Sequence, residues 1–455
     1  MKRILLILFC LILLVGCSSN QQSAKPKNGV ITIPYEKPVD FKQFEVFVST
    51  TPSFRPTGWD GSKWTGQPNA PSEWNGADKT LFMVTTNDPI QVTGLTPGKT
   101  YYVQVVVVDT SNQRSIPSPE ISAIAGDAQR SSTLVVAAAD ASPASKAGAD
   151  YVCDGVDDHE EIQAAINAMT TNGKIFFTEG TFNIGVVNQF TYPIIVGRKV
   201  ILEGNGSETI FKLKDGFNID YGIFSCQADG IVFKNMTLDG NRINQDRGFQ
   251  SGISNITNKN IIIENVTVKN FSDYGLVINN AFVTRCVIYG NRIGVMMTGV
   301  DTIITDNQIY GNDEQGIYLQ YVNNIIVNNN VIKENGADGI LIRGMNSTAL
   351  SENNQISNNQ VFNNGIAGDG TYSNILIKEY ANKCVIQGNI CRMGVGANRT
   401  KYGIRINNAT CNLCIITNND CYNSGEIAGI SNAGTNTSFG AGNRNNNGTW
   451  STTPN

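Results

Sequence analysis

Histidine is almost absent from this sequence, which has 455 residues and a single histidine, His159. A Ser-His-Asp triad or a His-ligated metal site would depend on that one side chain, so the sequence argues against both. Charged residues make up only 16% of the chain and the net charge is −4, which argues against an electrostatic nucleic-acid binder. The apolar run at residues 4–15 is too short for a permanent membrane span.

The first residues have the pattern of an export signal. Lys2 and Arg3 precede the apolar run, and Leu14-Val15-Gly16-Cys17 ends it. This end resembles a bacterial lipobox, whereas the alternative is an ordinary cleavable signal with a chance cysteine. The resemblance implies that residues 1–17 are a signal peptide, that Cys17 is acylated, and that the protein is anchored to the outer surface of a bacterial membrane in the cell envelope.

A flexible tether is predicted at residues 18–28, and a small β-domain at residues 29–126. Leu95, Pro97 and Tyr101 match the L-x-P-x-x-x-Y corner of the fibronectin type III family. The resemblance implies a β-sandwich in which Tyr101 is the corner tyrosine.

Three of the four tryptophans of the chain, Trp59, Trp64 and Trp74, lie in one segment of this domain. Two interpretations remain open. The segment is either an ordered loop packed on the sandwich or an aromatic platform that stacks on sugar rings. The second makes these three side chains candidate substrate-binding residues.

From about residue 127 the sequence changes to Asn, Gly and Ile. Asp157 with Glu160 predicts a capping box at the start of a helix, and His159 is expected to be exposed in its first turn. The apolar face of that helix is formed by Ile162, Ala165, Ile166 and Met169. A helix followed by strands resembles the N-terminal cap of pectin-lyase-like right-handed β-helices.

A repeat with the pattern aliphatic-x-x-Asn then recurs at steps of 21 to 30 residues. Its anchors are Asn235, Asn265, Cys286, Asn307, Asn330, Asn359, Asn389 and Asn419. A second turn position holds Asn270, Asn291, Asn312, Asn335 and Asn364. Such a register predicts a solenoid, here an all-β parallel β-helix over residues 127–440, with inward asparagines in left-handed turns. The resemblance to pectin-lyase-like proteins implies that the helix is right-handed. A leucine-rich repeat is the alternative, but its leucine consensus is missing. Residues 441–455 form a polar C-terminal tail that caps the last coil or frays.

The same register places cysteines above one another. Cys391 and Cys421 share one inward position in consecutive coils, and Cys384 and Cys414 share another. We expect them to fill the core as small apolar side chains, with bridges between coils as the alternative. The Cys411-x-x-Cys414 pair lacks the second pair or histidine that a zinc site needs.

Candidate functional residues are the charged side chains predicted to point outward beside the strand with the pattern Gly-Ile-x-Leu. The acids and bases in this set are Asp273, Arg292, Glu314, Asp338, Arg343, Lys378, Glu379 and Arg405. Because successive coils differ by about 4.8 Å, Glu314 and Asp338 would have carboxyls about 5 to 9 Å apart. That interval covers both glycosidase geometries.

A resemblance to polygalacturonase-type enzymes is partial, because the Gly-His-Gly motif of that family and the histidine motif of uronan epimerases are both missing. Pectate-lyase-like enzymes use Arg or Lys as base with Ca²⁺ held by acidic residues. This resemblance implies Asp273, Glu314 and Asp338 as catalytic or calcium-binding acids and Lys378 or Arg405 as base. Arg343 is a further candidate base, and it and Glu379 are candidate substrate-binding residues. The sequence requires no cofactor, and calcium is the one the resemblance suggests.

Three functions remain open. The first is a carbohydrate-active enzyme on an acidic polysaccharide, as a lyase by β-elimination before a glycosidase. The second is a non-catalytic glycan-binding or adhesive surface protein. The third is a structural protein of phage-tail or surface-layer type, although a lipobox argues against a phage tail. The expected partners are therefore a polysaccharide and, through the lipid, a membrane, with no nucleic acid. The alternative for each charged residue is that it only solvates an exposed face.

Overall fold

A computed structural model describes residues 26–27, 30–33, 38, 40–56, 58–65, 80–86, 90–92, 99–124, 133–169, 172–185, 192–217, 220–245, 248–368, 372–395, 399–451 and 453. The chain divides into two compact units, Met1–Arg130 and Ser131–Asn455. Among the described residues, no helix has the length and apolar character needed to cross a membrane. Cys17, Leu95, Pro97 and Trp74 lie outside the described residues.

The first unit is a β-sandwich, as predicted, with two antiparallel sheets around one core. One sheet contains β1 (Pro26–Lys27), β2 (Val30–Ile33) and β5 (Ile90–Val92); the other contains β3 (Phe41–Ser49), β4 (Thr80–Thr85), β6 (Thr100–Asp109) and β7 (Ile121–Ile124). Alternation along β3 sends Phe44, Val46 and Val48 into the core, where Tyr101 is also fully buried. The fibronectin type III resemblance stays a prediction.

The second unit contains two helices near its start, α1 (Pro143–Ala147) and α2 (His159–Ala168). Two expectations about α2 are wrong. Its N-cap is Asp158, whose carboxylate accepts the amides of Gly155 and Asn183 rather than a helical amide. Asp157 instead has a left-handed backbone, with φ of 59°. His159 is buried, and its Nδ1 accepts the Gly185 amide, so it is part of the packing.

The remainder is a right-handed parallel β-helix, which confirms the predicted fold. Its first sheet stacks β12 (Ile194–Val196), β15 (Phe224–Cys226), β17 (Ser251–Ser254), β19 (Tyr274–Ile278), β22 (Ile293–Val300), β25 (Ile317–Asn323), β28 (Ile340–Arg343), β32 (Ser373–Lys378), β36 (Tyr402–Ile406) and β38 (Ala428–Asn432), flanked by β29 (Ser351–Glu352) and β33 (Ala381–Asn382).

The other two faces are formed by a second and a third stack. The second contains β10 (Gly173–Phe177), β13 (Val200–Glu203), the first halves of β16 (Val232–Asp239) and β18 (Ile261–Lys269), β20 (Ala281–Thr284), β23 (Ile303–Thr305), β26 (Ile326–Asn328), β30 (Gln355–Ser357), β34 (Val385–Gln387), β37 (Ile415–Thr417) and β39 (Ser438–Phe439). The third contains β11 (Gly180–Ile184), β14 (Thr209–Leu213), the second halves of β16 and β18, β21 (Val287–Tyr289), β24 (Gln308–Tyr310), β27 (Val331–Lys333), β31 (Gln360–Phe362) and β35 (Ile390–Arg392).

Shorter elements close the two ends of this unit. Strands β8 (Thr133–Ala137) and β9 (Tyr151–Val152) extend the sheet beside β10 at the start. Within the predicted tail, β40 (Asn443–Arg444) and β41 (Trp450–Ser451) form an antiparallel pair. Single 3-10 turns occur at Gly206–Glu208 and Arg242–Asn244. The described part of the tail is therefore ordered onto the last coil.

A ladder of buried asparagines joins the coils between the second and third stacks. Cys286 takes the first position, and the other members are Asn307, Asn330, Asn359, Asn389, Asn419 and Asn443. At a typical step, Asn330 donates two hydrogen bonds to the Asn359 Oδ1, one from its backbone amide at 2.9 Å and one from its side-chain amide at 3.0 Å. The Asn359 Nδ2 donates to the carbonyl of Val327 at 2.9 Å. Every rung thus satisfies backbone groups that the turn leaves unpaired.

The predicted register was wrong by one residue in the first two coils. Asn235 and Asn265 are left-handed turn residues that leave the inward place to Met236 and Val266. Asn270 is likewise left-handed, before the buried Phe271. Throughout the stack the positive φ belongs to the residue before the ladder position, because an inward side chain needs extended backbone to pair along the axis. A second ladder holds Asn291, Asn312, Asn335 and Asn364.

Glycines at the start of the first-sheet strands make room for this second ladder. A Cβ on Gly316 would lie 2.8 Å from Asn335 Nδ2 and 2.8 Å from the Gly339 carbonyl oxygen. Gly275, Gly294 and Gly339 meet the same kind of neighbours. The Gly of the Gly-Ile-x-Leu pattern is therefore a packing requirement and not a feature of the turn.

All eight cysteines from Cys153 onward are buried and free, as expected for core filler. Cys384 and Cys414 contact each other across one coil, as do Cys391 and Cys421. Cys286 takes the first ladder position, where its amide donates to Asn307 Oδ1.

We expect Asn359→Ala to lower the free energy of unfolding by about 3 kcal/mol, because it removes the acceptor of the buried Asn330 backbone amide and the donor to the Val327 carbonyl. Thermal unfolding followed by circular dichroism measures the loss. Gln360→Ala, on the exposed neighbouring residue, is the matched control and should change stability by no more than about 0.5 kcal/mol. Equal effects of the two substitutions would contradict the ladder's role.

Candidate functional site

The outer face of the first sheet carries the later set of predicted residues. Leu376 on β32 pairs with Arg405 on β36, and Arg343 on β28 pairs with Lys378 on β32. Because alternate residues of a strand share a face and coils are about 4.8 Å apart, Arg343, Lys378 and Arg405 form one cluster of cations across three coils. We call this the basic cluster.

Glu379 is the carboxylate that joins two members of the basic cluster. Its Oε2 lies 2.7 Å from Arg343 Nε, and its Oε1 lies 3.7 Å from Lys378 Nζ. Two tyrosines that the sequence analysis did not single out complete the face. Tyr318 is in hydrogen-bonding contact with Arg343, and Arg405 lies over the Tyr402 ring at 4.4 Å from its centroid.

Asp338 precedes β28 at the start of this face, where its pKa is influenced by the charges of Lys378 and Arg405, and it does not point outward, which corrects the prediction. It is 4% exposed, and its Oδ1 accepts the Ser373 amide of the next coil at 2.7 Å. This bond directs the carboxyl along the axis instead of toward solvent. Burial raises the pKa of Asp338 to about 7, while Lys378 and Arg405 act in the opposite direction. Near neutral pH the group is therefore poised between its acid and its base form.

The earlier set of predicted residues forms a separate ion-paired cluster. Arg292 Nε donates to Asp273 Oδ1 at 2.6 Å, Arg292 Nη1 donates to Glu314 Oε1 at 3.0 Å, and the guanidinium lies 5.2 Å from the centroid of the Tyr274 ring. Asp273 is buried and not outward as predicted, and its Oδ2 has no hydrogen-bond partner. Burial raises the pKa of Asp273, although Arg292 opposes the shift.

The three proposed calcium ligands are thus divided between two clusters. Asp273 and Glu314 share Arg292, whereas Asp338 accepts the Ser373 amide at the start of β32. Among the described residues, the group of acidic and thiol ligands that lie within 4.8 Å of one another is Cys153, Asp158 and Glu161, at the N-terminal cap. The geometry brings no calcium site together from the predicted acids.

An open cavity of about 520 Å³ borders the earlier cluster and was missed by sequence reasoning. It is lined by Lys212, Asp239, Asn241, Arg242, Ile243 and Asn270. Arg242 pairs with Asp313, the residue before Glu314. The available sequence signal was the long connection between Asp239 and Ser251, where the repeat pattern is interrupted.

Two long connections lie next to strands that carry the basic cluster. Residues 344–350 follow Arg343 directly and contain a bridge between Asn346 and Ala349. Asn364 follows β31, in the connection that leads to Ser373, and its carbonyl accepts the Thr400 hydroxyl of the next coil. The extra residues of the 29- and 30-residue repeats therefore lie beside the candidate site.

In the first unit, Trp59 and Trp64 pack as an ordered segment. Trp64 donates its Nε1–H to the Ser115 carbonyl at 2.9 Å and stacks on Phe47 of β3 at 6.0 Å between centroids. The Trp59 ring lies 5.3 Å away at an angle of 55°. These two rings do not form a coplanar platform, and Trp74 lies outside the described residues.

Comparison with known proteins places this fold among right-handed β-helices. The family model for the right-handed beta helix region matches residues 221–379, about a third of the chain. No curated protein matches. Similar solved structures include the mannuronan C-5 epimerase AlgE4 A-module of Azotobacter vinelandii, with 21% identity, 62% of this chain and 94% of that chain covered, and a TM-score of 0.41.

Two further structures show similarity at lower identity. The Family 28 exopolygalacturonase of Yersinia enterocolitica is 11% identical, with 92% of this chain and 99% of that chain covered and a TM-score of 0.35. A tailspike protein mutant of E. coli bacteriophage HK620 is 13% identical, with 61% and 55% covered and a TM-score of 0.49. These likenesses concern the fold.

We expect Asp338→Asn to alter how stability depends on pH. The raised pKa means that the stabilisation from protonated Asp338 is fully present below pH 3.8 and is lost as pH rises to about 7. The free energy of unfolding of the wild type should therefore fall relative to that of Asp338→Asn between pH 5 and 7, by roughly 2 to 4 kcal/mol. Above pH 7 the difference between the two proteins should stay constant. Thermal melts from pH 5 to 9 measure it.

The control for this series is Asp229→Asn, an exposed carboxyl that accepts the Lys259 amide. Its melting curve should follow the wild type at every pH. A constant offset between Asp338→Asn and the wild type over the whole range would show that Asp338 titrates normally in the folded protein.

Proposed function

We propose that the outer face of the first sheet binds an acidic polysaccharide and cleaves it, by β-elimination in preference to hydrolysis. The observation that carries the proposal is the basic cluster, in which Arg343, Lys378 and Arg405 come from three neighbouring coils of one sheet. A row of cations on a rigid wall suits a linear polymer that repeats a carboxylate in every sugar.

The aromatic side chains beside the cations favour a sugar over a simple anion. Tyr318 and Tyr402 combine a ring with a hydroxyl, so that one side chain can contact the C–H face of a sugar and bond to its hydroxyls. Arg343 is held by Glu379 and Tyr318, and an arginine fixed in this way is suited to bind a carboxylate through two parallel hydrogen bonds.

For elimination, a base takes the proton from C5 of a uronate, C4 and C5 become doubly bonded, and the glycosidic oxygen leaves C4 with a proton from solvent. Lys378 or Arg405 in its neutral form is the proposed base, and the remaining cations neutralise the carboxylate that makes the C5 proton acidic.

A non-catalytic glycan-binding or adhesive protein is the second candidate. The observation that favours it is the ion-paired state of the earlier cluster, in which both carboxylates are occupied by Arg292. A carboxylate that is ion-paired with an arginine in this way is not free to act on a substrate. Export through residues 1–17 with lipid at Cys17, the fibronectin type III assignment and a need for calcium remain proposals of the sequence alone.

We expect the purified protein to release unsaturated products from polygalacturonate or alginate, which absorb in the ultraviolet. Lys378→Ala or Arg405→Ala, whichever removes the base, should lower kcat by at least about a hundredfold, whereas Arg343→Ala should mainly raise KM. Parallel reactions with calcium and with a chelator test the metal proposal.

Lys333→Ala is the matched control, because Lys333 is a half-buried lysine on the outer face of the third stack. It should leave the rate unchanged. New reducing ends without absorbance would indicate hydrolysis. Binding of the glycan without any product, lost in the triple variant of the basic cluster, would establish the binding protein and reject the lyase.

A further inference from the structure

The outer face of the second stack carries a continuous aliphatic stripe that no proposed activity uses. Register pairing places one outward residue of each coil directly above the last. In order, these residues are Ile201, Val232, Ile262, Phe282, Ile303, Ile326, Gln355, Val385 and Ile415. Eight of the nine are apolar, which is unexpected in outward positions of an exposed sheet.

The stripe reaches the surface. Phe282 and Ile303 are each 38% exposed and Ile415 is 41% exposed, which is high for residues whose flanks are covered by neighbours one coil away. Ile262 and Ile326 are half-buried in the same row. Contiguous apolar surface of this kind marks an interaction site in a soluble protein.

The column beside the stripe is polar but uncharged over its later six coils. Its residues there are Thr284, Thr305, Asn328, Ser357, Gln387 and Thr417. Two such surfaces can meet without bringing like charges together. Hydroxyl and amide groups can also form hydrogen bonds with their counterparts at the margin of an apolar centre.

The chemistry and the spacing of the stripe identify its partner. Apart from Phe282, the side chains of the stripe lack the flat ring faces that bind sugars, and one ring cannot form a platform along a polymer, so this face is unsuited to a glycan. A straight row with one side chain every 4.8 Å or so is matched best by a surface with the same repeat. A second β-helix of the same chain provides that repeat.

We propose that the aliphatic stripe is the interface of a homodimer in which two β-helices pack side by side through their second stacks. Eight coil steps span about 38 Å, and a three-residue strand with one turn residue on each side spans about 16 Å. The area is therefore about 600 Å² on each partner, at the lower end of specific interfaces. The dimer is thus expected to dissociate at micromolar concentration.

Sedimentation velocity and light scattering on the full chain, from about 1 to 100 μM, test the proposal. The wild type should shift from monomer to dimer over this range. Ile303→Glu and Ile326→Glu should each weaken association at least about tenfold, because a charge would be buried in the interface. Val331→Glu is the matched control, since Val331 is a half-buried outward aliphatic residue on the third stack, and it should dimerise like the wild type.

Circular dichroism confirms that each variant is folded, and Ile303→Thr with Ile326→Thr replaces the charged variants if either unfolds. Loss of the dimer in the stripe variants alone supports the interface. A wild type that stays monomeric at every concentration overturns it, as does a dimer that survives both stripe substitutions. If the stripe instead binds the N-terminal unit of its own chain, the wild type stays monomeric and the dimer is rejected.

Discussion

Hydrogen bonds from buried asparagine amides to the next coil are the constraint on which the rest of this structure depends. Each amide oxygen accepts two donors from one neighbour, and each amide nitrogen donates to a carbonyl that the turn leaves unpaired. Because these bonds run along the axis, one coil fixes the register of the next. Stacking of Ile and Val then follows, since each inward side chain lies directly above its equivalent.

Because the register of the coils is fixed, inward residues pack the core and outward residues are available to bind a partner. Inward positions are committed to the ladders, the aliphatic core and the free cysteines, so chemistry is restricted to outward positions. The basic cluster illustrates this, because Lys378 and Arg405 come from strands whose other faces fill the core. Asp273 and Asp338 are exceptions, because both are buried yet ionisable and both lie at the start of first-sheet strands. A site assembled in this way needs no single loop to bring its residues together.

The sequence predicted the solenoid and its ladder correctly from Cys286 onward, because an asparagine between two aliphatic residues has one place in such a coil. It failed at Asn235 and Asn265, since asparagine suits a left-handed turn as well as a ladder and Met236 or Val266 can take the inward place. His159 and Asp338 were expected outside and lie inside, because single backbone contacts to Gly185 and Ser373 decide their direction. Arg405 and Lys378 were placed on the predicted outer face, whereas their aromatic neighbours were not recognised.

The turns on either side of the later cluster lengthen the coils without disturbing the stack. One of these connections joins β28 to β29 and the other joins β31 to β32. The ladder from Asn330 to Asn389 continues past both of them unbroken. Length changes at these two points are consequently nearly free of cost to the scaffold. Proteins that evolve from this chain can therefore lengthen or shorten the turns around the first sheet. Their substrate range can then diversify while the number of coils and the core stay the same.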